Sequence, residues 1–209
     1  MVTCPLCSAE STIYYTYKNK QYYACPQCRG VFLDPAALPE PDAEKERYAH
    51  HNNDINDQGY RNFVQPLVSA VTEFFTFNHF GLDFGAGPGP VVATMLKEQG
   101  LRTTLYDPFF HNNPQVLERK YDYIVSCEVI EHFYRPDLEF SLLYSLLRPH
   151  GKLFCMTSVY YDHIDFGSWY YKNDPTHVFF YRPQTLRYIS EKFAFADVSF
   201  RNNLVVFSK

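Results

Sequence analysis

The sequence predicts an α/β protein. A mostly parallel sheet, covered by helices and ending in an antiparallel last strand, follows a small cysteine-rich β-hairpin module. Three observations carry this. From His79 onward, short apolar runs alternate with helical segments, the pattern of a parallel sheet buried on both faces. The last two strand-like runs, 195–200 and 204–208, are joined only by Arg201-Asn202-Asn203, too few residues for a crossover helix, so the final strand must be antiparallel. Four of the six cysteines lie within the first 28 residues, as two C-x2-C pairs.

Composition narrows the function classes. The 209 residues are 46% hydrophobic and 20% charged, which supports a real core and excludes wholesale disorder. The formal net charge of −4 argues against tight general binding to nucleic acid, which needs a concentrated basic face. Aromatic residues are abundant, with 18 Tyr and 19 Phe, so tyrosines are expected along surfaces and a pocket where their hydroxyls find partners. No run approaches the apolar length of a membrane span, and the start at Met1-Val2-Thr3-Cys4 has no secretory pattern. The expected location is the cytoplasm, where paired cysteines act as metal ligands rather than disulfides.

Cys4-Pro5-Leu6-Cys7 and Cys25-Pro26-Gln27-Cys28 are two knuckles, and Ile13–Tyr17, a Lys18-Asn19-Lys20 turn and Tyr22–Ala24 read as a hairpin between them. Four thiolates close a tetrahedral site, so structural zinc is expected over a rubredoxin-like iron or a redox pair, with no open position for catalysis. The hairpin resembles a zinc ribbon and occupies residues 1–40. Its charges balance (Lys18, Lys20 and Arg29 against Glu10, Asp34 and Glu40), which favours docking or gripping a substrate over binding phosphate. Cys127 and Cys155 read as small buried hydrophobes.

Pro35, Pro39 and Pro41 mark a linker, and residues 42–48 a short polar helix with acids in its first turn. His50 to Asp54 should break that helix. Phe63, Val64, Leu67, Val68, Val71, Phe74 and Phe75 recur at helical spacing, predicting an amphipathic helix over about 60–76. Residues 41–78 would thus form a helical lid and linker before a core at 79–209. In that core, strands are expected at 80–84, 101–106, 121–127 and 152–156. Helices are expected from Pro90 to Gly100, over 136–147 and over 183–192.

Asp83-Phe84-Gly85-Ala86-Gly87-Pro88-Gly89 lies between a strand and a helix. Glycines there admit a ligand close to the backbone, and the helix start offers free N–H groups. A dinucleotide fingerprint would need glycine at position 90, where Pro90 stands; the spacing is acidic-x-G-x-G-x-G. Here the chain resembles the class I S-adenosylmethionine-dependent methyltransferases, over about residues 60–209. Asp107 ends the second strand, where an acid can accept both ribose hydroxyls. The stretch Tyr121 to His132 looks like the family's fourth-strand motif, and Leu147 to Lys152 like its turn before the fifth strand. The resemblance implies a Rossmann-like fold and a cofactor site of Asp83, Phe84, Gly85, Ala86, Gly87, Gly89, Asp107, Cys127, Glu128 and His132. Pro108 and Phe109 would be the stacking surface for adenine. Only 13 residues separate Asp107 from Tyr121, too few for the usual helix and third strand, so the edge strand is expected to be missing.

The acceptor side is read from Trp169 to Tyr181, a long aromatic loop after the fifth strand that resembles a Trp…Asp-Pro-Thr-His stretch in a branch of these enzymes. His177 is the candidate base, with Asp174 orienting its ring; the alternative is a histidine that ties the loop to the sheet. Glu128, Glu131 and His132 resemble the metal-binding acids and imidazole of quinone-type O-methyltransferases, although the same triplet occurs widely without a metal. Tyr60 or Arg61 could cap the cofactor carboxylate from the lid. The expected activity is methyl transfer to a small aromatic or partly apolar acceptor. Two alternatives stand beside it: an RNA base methyltransferase gripping RNA with its ribbon, and a non-catalytic binding protein on the cofactor fold.

Overall fold

A computed structural model of the chain describes residues 2–49 and 54–209. The break expected at His50 to Asn53 lies outside the described residues. Among the described residues no helix is long and apolar enough to cross a membrane.

The amino-terminal segment contributes β1 (Val2–Thr3), β2 (Glu10–Tyr17), β3 (Lys20–Ala24) and β4 (Val31–Leu33). Two helices follow, α1 (Pro41–Ala49) and α2 (Gln58–Phe74). In α2, Val64, Leu67, Val68 and Val71 are buried, the i, i+3, i+4, i+7 stripe of a helix lying on a core. Asp57 caps its start by accepting the Tyr60 amide at 2.7 Å.

The core then alternates β5 (Phe80–Phe84), α3 (Val91–Glu98), β6 (Arg102–Tyr106), β7 (Tyr121–Cys127), α4 (Pro136–Leu146) and β8 (Leu147–Met156). It closes with β9 (Phe179–Phe180), α5 (Pro183–Lys192), β10 (Asp197–Arg201) and β11 (Leu204–Ser208). Pro90 precedes α3 as its cap instead of opening it, because its ψ of 70° is not helical. β8 starts five residues before the expected Lys152, because Leu147 already pairs with Tyr121 ahead of an irregularity in register.

Among the described residues the core sheet has six strands in the order β10-β11-β8-β7-β5-β6. β8, β7, β5 and β6 are parallel, and β11 runs antiparallel to both β8 and β10. The edge strand is absent: residues 107–120 make one isolated bridge, Asp107 to His111, and a 3-10 turn over Pro114–Glu118. β6 is therefore left at the edge. Side chains alternate across the sheet. Tyr123 and Val125 pack with α2 and α3, whereas Ile124 packs on the opposite side with α4 and α5.

The sheet of the cysteine module takes one strand from the methyltransferase-like core. Its order is β1-β2-β3-β4-β9, so its fifth strand comes from far along the sequence, at Phe179–Phe180. Val31 pairs with Phe180 and Phe32 with Phe179. The Leu33 amide also donates to the Val178 carbonyl at 2.9 Å.

Candidate active site

The parallel strands point their carboxyl ends into one cavity of about 1260 Å³. It is floored by the glycine turn, walled by the loops after β6 and β7, and roofed by α1 and the loop leading to β9.

In the turn, Gly85 and Gly87 have φ of +82° and +63°, the left-handed region that favours glycine. A Cβ on Gly85 would strike Val129 at 2.4 Å, whereas one on Gly87 would meet nothing within 4 Å. Gly87 therefore presents bare backbone to open space. The Tyr106 carbonyl accepts the Gly85 and Ala86 amides at 2.8 and 3.1 Å, locking the turn to β6. Asp107 completes the lock: one carboxylate oxygen accepts the Gly87 amide at 3.0 Å, the other the Phe109 and Phe110 amides at 2.8 and 3.0 Å.

Phe84, Gly85, Ala86, Gly87, Asp107, Pro108, Phe109, Tyr60, Cys127, Glu128, His132, Asp174 and His177 all line this cavity. Asp83, Gly89 and Arg61 do not. Asp83 is buried beneath the turn, where burial lifts its carboxyl to about 7 against the opposing pull of the Ala93 amide. Gly89 lies past the turn, its carbonyl accepting the Val91 amide. Arg61 turns outward to pair with Glu98 and to donate to the Ile55 carbonyl.

Around His177 the structure assembles a buried polar cluster. Its Nδ1 lies 2.7 Å from the Tyr171 carbonyl, and because a carbonyl only accepts, this nitrogen carries the proton. Nε2 is then the basic nitrogen, 4.0 Å from Oε1 of Glu131. The Tyr171 hydroxyl donates to Glu131 and lies 3.1 Å from Glu128, and Thr157 donates to Glu131 at 3.0 Å. Burial, reinforced by the neighbouring Glu128 charge, raises Glu131 to about 8; burial alone raises Glu128 to about 7. His132 meets His177 edge to face at 4.8 Å and places its Nδ1 2.8 Å from the Thr176 carbonyl.

Asp174 does not hold the Nδ1 of His177; the Tyr171 carbonyl occupies that position. Its carboxylate instead accepts from the Thr176 amide and hydroxyl at 3.0 and 2.6 Å and pairs with Arg47 of α1 at 2.8 Å. Burial would raise the Asp174 carboxyl, but Arg47 and Thr176 outweigh it and hold the group far below the usual range. This pair clasps α1 to the acceptor loop. Tyr48 of α1 packs against both His132 and Phe109, at 5.2 and 5.9 Å between rings.

Two ligand sets suit a metal. Cys4, Cys7, Cys25 and Cys28 bring their sulfurs within 4.8 Å of one another. Ser8 and Arg29, with φ of 63° and 64°, turn each knuckle. Burial pushes the Cys7 thiol to about 11, so a cation is needed before all four ionise. The second set is Glu131, His132 and His177, equally close, with His177 in place of the expected Glu128.

Sequence reasoning did not single out Tyr171, Arg47, Glu44 or the α4 residues Leu138, Glu139 and Leu142, all of which line the cavity. Tyr171 stood within the quoted aromatic loop, but only the fold reveals that it bridges two acids. The others carry no local signal.

A methyltransferase-domain family model matches residues 43–199, and the chain belongs to that family. A transcription-factor zinc-finger model matches residues 3–40, over the four cysteines, which form a zinc site. No curated protein matches the chain in sequence. Among solved structures, the fold is similar to an S-adenosylmethionine-dependent methyltransferase from Archaeoglobus fulgidus. The TM-score is 0.57 at 16% identity, over 82% of this chain and 100% of that one. It is also similar to an O-methyltransferase family protein from Burkholderia thailandensis, with TM-score 0.56 and 14% identity over 79% of this chain and 61% of that one. Human N-acetylserotonin methyltransferase, in complex with S-adenosylmethionine, gives 0.54 and 13% over 83% and 61%. The chain thus spans about three fifths of the length of the last two, each covered to 61%.

Proposed function

We propose that the protein transfers a methyl group from S-adenosylmethionine to a small aromatic or partly apolar acceptor seated beside His177. The observation that carries this reading is the continuity of one cavity, from the glycine turn and Asp107 to the His177 cluster. The bare backbone at Gly87 fits a ligand that approaches closely, and Gly85, Ala86, Gly87 and Asp107 would hold the cofactor. When bound, it supplies an electrophilic methyl on a sulfonium sulfur.

The protein's own part is alignment, exclusion of water and proton handling. The Arg47–Asp174 clasp brings α1 over the cavity, and Tyr48, Tyr134 and Tyr171 give the acceptor end aromatic walls. His177 accepts the acceptor's proton at Nε2, because Nδ1 is committed to the Tyr171 carbonyl. The resulting imidazolium is stabilised by Glu131, which ionises more readily beside that charge.

The test has two stages. Calorimetry with S-adenosylhomocysteine should show one binding site. Labelled methyl groups from the cofactor should then enter a small-molecule extract. Label entering only total RNA would favour an RNA acceptor. Binding without transfer to either would favour a non-catalytic role.

A further inference from the structure

The acceptor end of the cavity is unevenly charged. Its two arginines are committed to aspartates. Arg47 donates two nitrogens to Asp174, at 3.2 and 2.8 Å, and Arg135 donates two to Asp137, at 3.0 and 2.9 Å. The glutamates are not matched in this way. Among the described residues, the Glu44 carboxylate accepts only from phenols, the hydroxyls of Tyr48 at 2.5 Å and Tyr134 at 3.3 Å. Glu128 accepts only from Tyr171 at 3.1 Å, and Glu131 behind it from Tyr171 and Thr157. Glu44 and Glu128 both line the cavity, and Glu128 does so from a backbone φ of 51°, which side-chain-bearing residues seldom adopt.

A buried base stands beside these acids. His177 is nine-tenths buried and lines the cavity. Its Nδ1 is held by the Tyr171 carbonyl, while Nε2 makes no hydrogen bond with the described residues and lies 4.0 Å from Glu131. Tyr48, Tyr134 and Tyr171 wall the same end, and a tyrosine face attracts a cation, more strongly where water is excluded. These phenols also register how the site treats a hydroxyl. Burial first, then Glu44 at Tyr48 and Tyr134 and the two glutamates at Tyr171, push all three well above a phenol's ordinary range. An incoming phenol would meet the same penalty, because its oxygen must shed a proton and gather negative charge to act as a nucleophile. An amine meets the opposite field: it arrives as a cation, and its neutral form already carries a nucleophilic lone pair.

We infer that the methyl acceptor is an amine, drawn in as its ammonium by Glu44, Glu128 and the tyrosine faces, and deprotonated at Nε2 of His177 with Glu131 behind that imidazole. This rests on the methyl-transfer reading above. The ammonium gives one proton to Nε2. Its nitrogen then bonds to the methyl carbon with the freed lone pair, while the methyl–sulfur bond breaks and leaves its electron pair on sulfur. The positive charge thereby passes from sulfur to the methylated nitrogen, and the same acids hold it there. At no point does an oxygen nucleophile have to carry negative charge among carboxylates.

The experiment reads the acceptor atom directly. The full chain is incubated with a small-molecule extract and S-adenosylmethionine carrying an isotopically labelled methyl carbon. Carbon NMR of the mixture then identifies the atom that received the label, since methylamines resonate apart from methyl ethers and esters. Label should appear on amine nitrogen, in a signal that moves with pH as the amine titrates. Glu128→Gln, which keeps the shape and removes the charge, should slow this labelling by about tenfold or more, the effect of losing one charge-assisted hydrogen bond. Thermal transitions verify that the variant is folded, and Glu44→Gln serves if it is not. Label confined to methyl ethers, esters or other non-amine positions overturns the inference and leaves methyl transfer standing. Undiminished amine labelling by the folded variant overturns the part given to the acids. Folded wild type that labels no small molecule overturns the methyl-transfer reading itself, and this inference with it.

Discussion

Tyr171 donates its hydroxyl to Glu131 and stands 3.1 Å from Glu128, so a single phenol joins two buried carboxyls beneath the acceptor loop. Neither acid has a lysine or arginine partner among the described residues. Both are instead held partly protonated, at about 8 and about 7, because burial penalises their charge.

This arrangement gives stability a definite pH dependence. Each folded-state value lies above the unfolded value of 4.5, so the folded protein binds more protons between them. Their contribution is complete below about pH 4.5 and is lost as pH rises through 7 and 8. Each unit of upward displacement corresponds to about 1.4 kcal/mol. Glu131→Gln, which stays neutral, should flatten this decline, as read from urea midpoints at pH 5 and pH 8.5. An equal slope in both proteins would refute the assignment.

Cofactor binding should depend on the two residues that lock the turn. Gly87→Val places a branched side chain at φ +63°, a strained conformation for such a residue, and fills the bare approach. Asp107→Ala removes charge-assisted hydrogen bonds of about 1.5–3 kcal/mol each and frees three amides that hold the loop. Loss of S-adenosylhomocysteine affinity by about tenfold or more is expected for each variant, measured by calorimetry on folded protein.

His177→Asn separates the two nitrogens. The asparagine amide can still donate to the Tyr171 carbonyl, but nothing replaces the basic Nε2. Cofactor affinity should stay near wild type while turnover of an identified acceptor falls by roughly 10²–10⁴-fold. A large fall in thermal stability with turnover spared in the folded fraction would make His177 a structural tie instead.

The zinc knuckle and the acceptor loop should respond together. A Cβ on Gly30 would meet the Phe179 ring at 2.5 Å and the Cys28 sulfur at 3.5 Å, so the second knuckle rests on β9 two residues after His177. Cys25→Ser should abolish bound zinc, measured by metal analysis. It should also speed hydrogen exchange of the Val178 amide, which donates to the Glu131 carbonyl at 2.9 Å. Loss of zinc with no change at Val178 would separate the two.

What was legible in the sequence was local. The glycine turn, Asp107 and the two knuckles announce themselves because each needs particular residues within a few positions. The shortened stretch after Asp107 revealed a missing strand by arithmetic alone. The role expected of Asp174 failed because an Asp three residues before a His serves a loop turn as readily as an imidazole, and here Thr176 and Arg47 take it. β9 was invisible, since Phe179-Phe180 carries no strand period and pairs with residues near the opposite terminus. Glu139 was invisible for another reason: an acid in the first turn of a helix is ordinary until the fold shows what it faces.

The pairing of β4 with β9 also orders events during synthesis. The knuckles are made well before β9 and can take up zinc in the meantime. The outer edge of β4 then waits, with unpaired backbone groups, until Phe179 and Phe180 have been made. A nascent or truncated chain would display that edge beside a finished metal centre, a surface open to chaperones or to a second nascent chain. The same pairing seats His177, which lies two residues before β9.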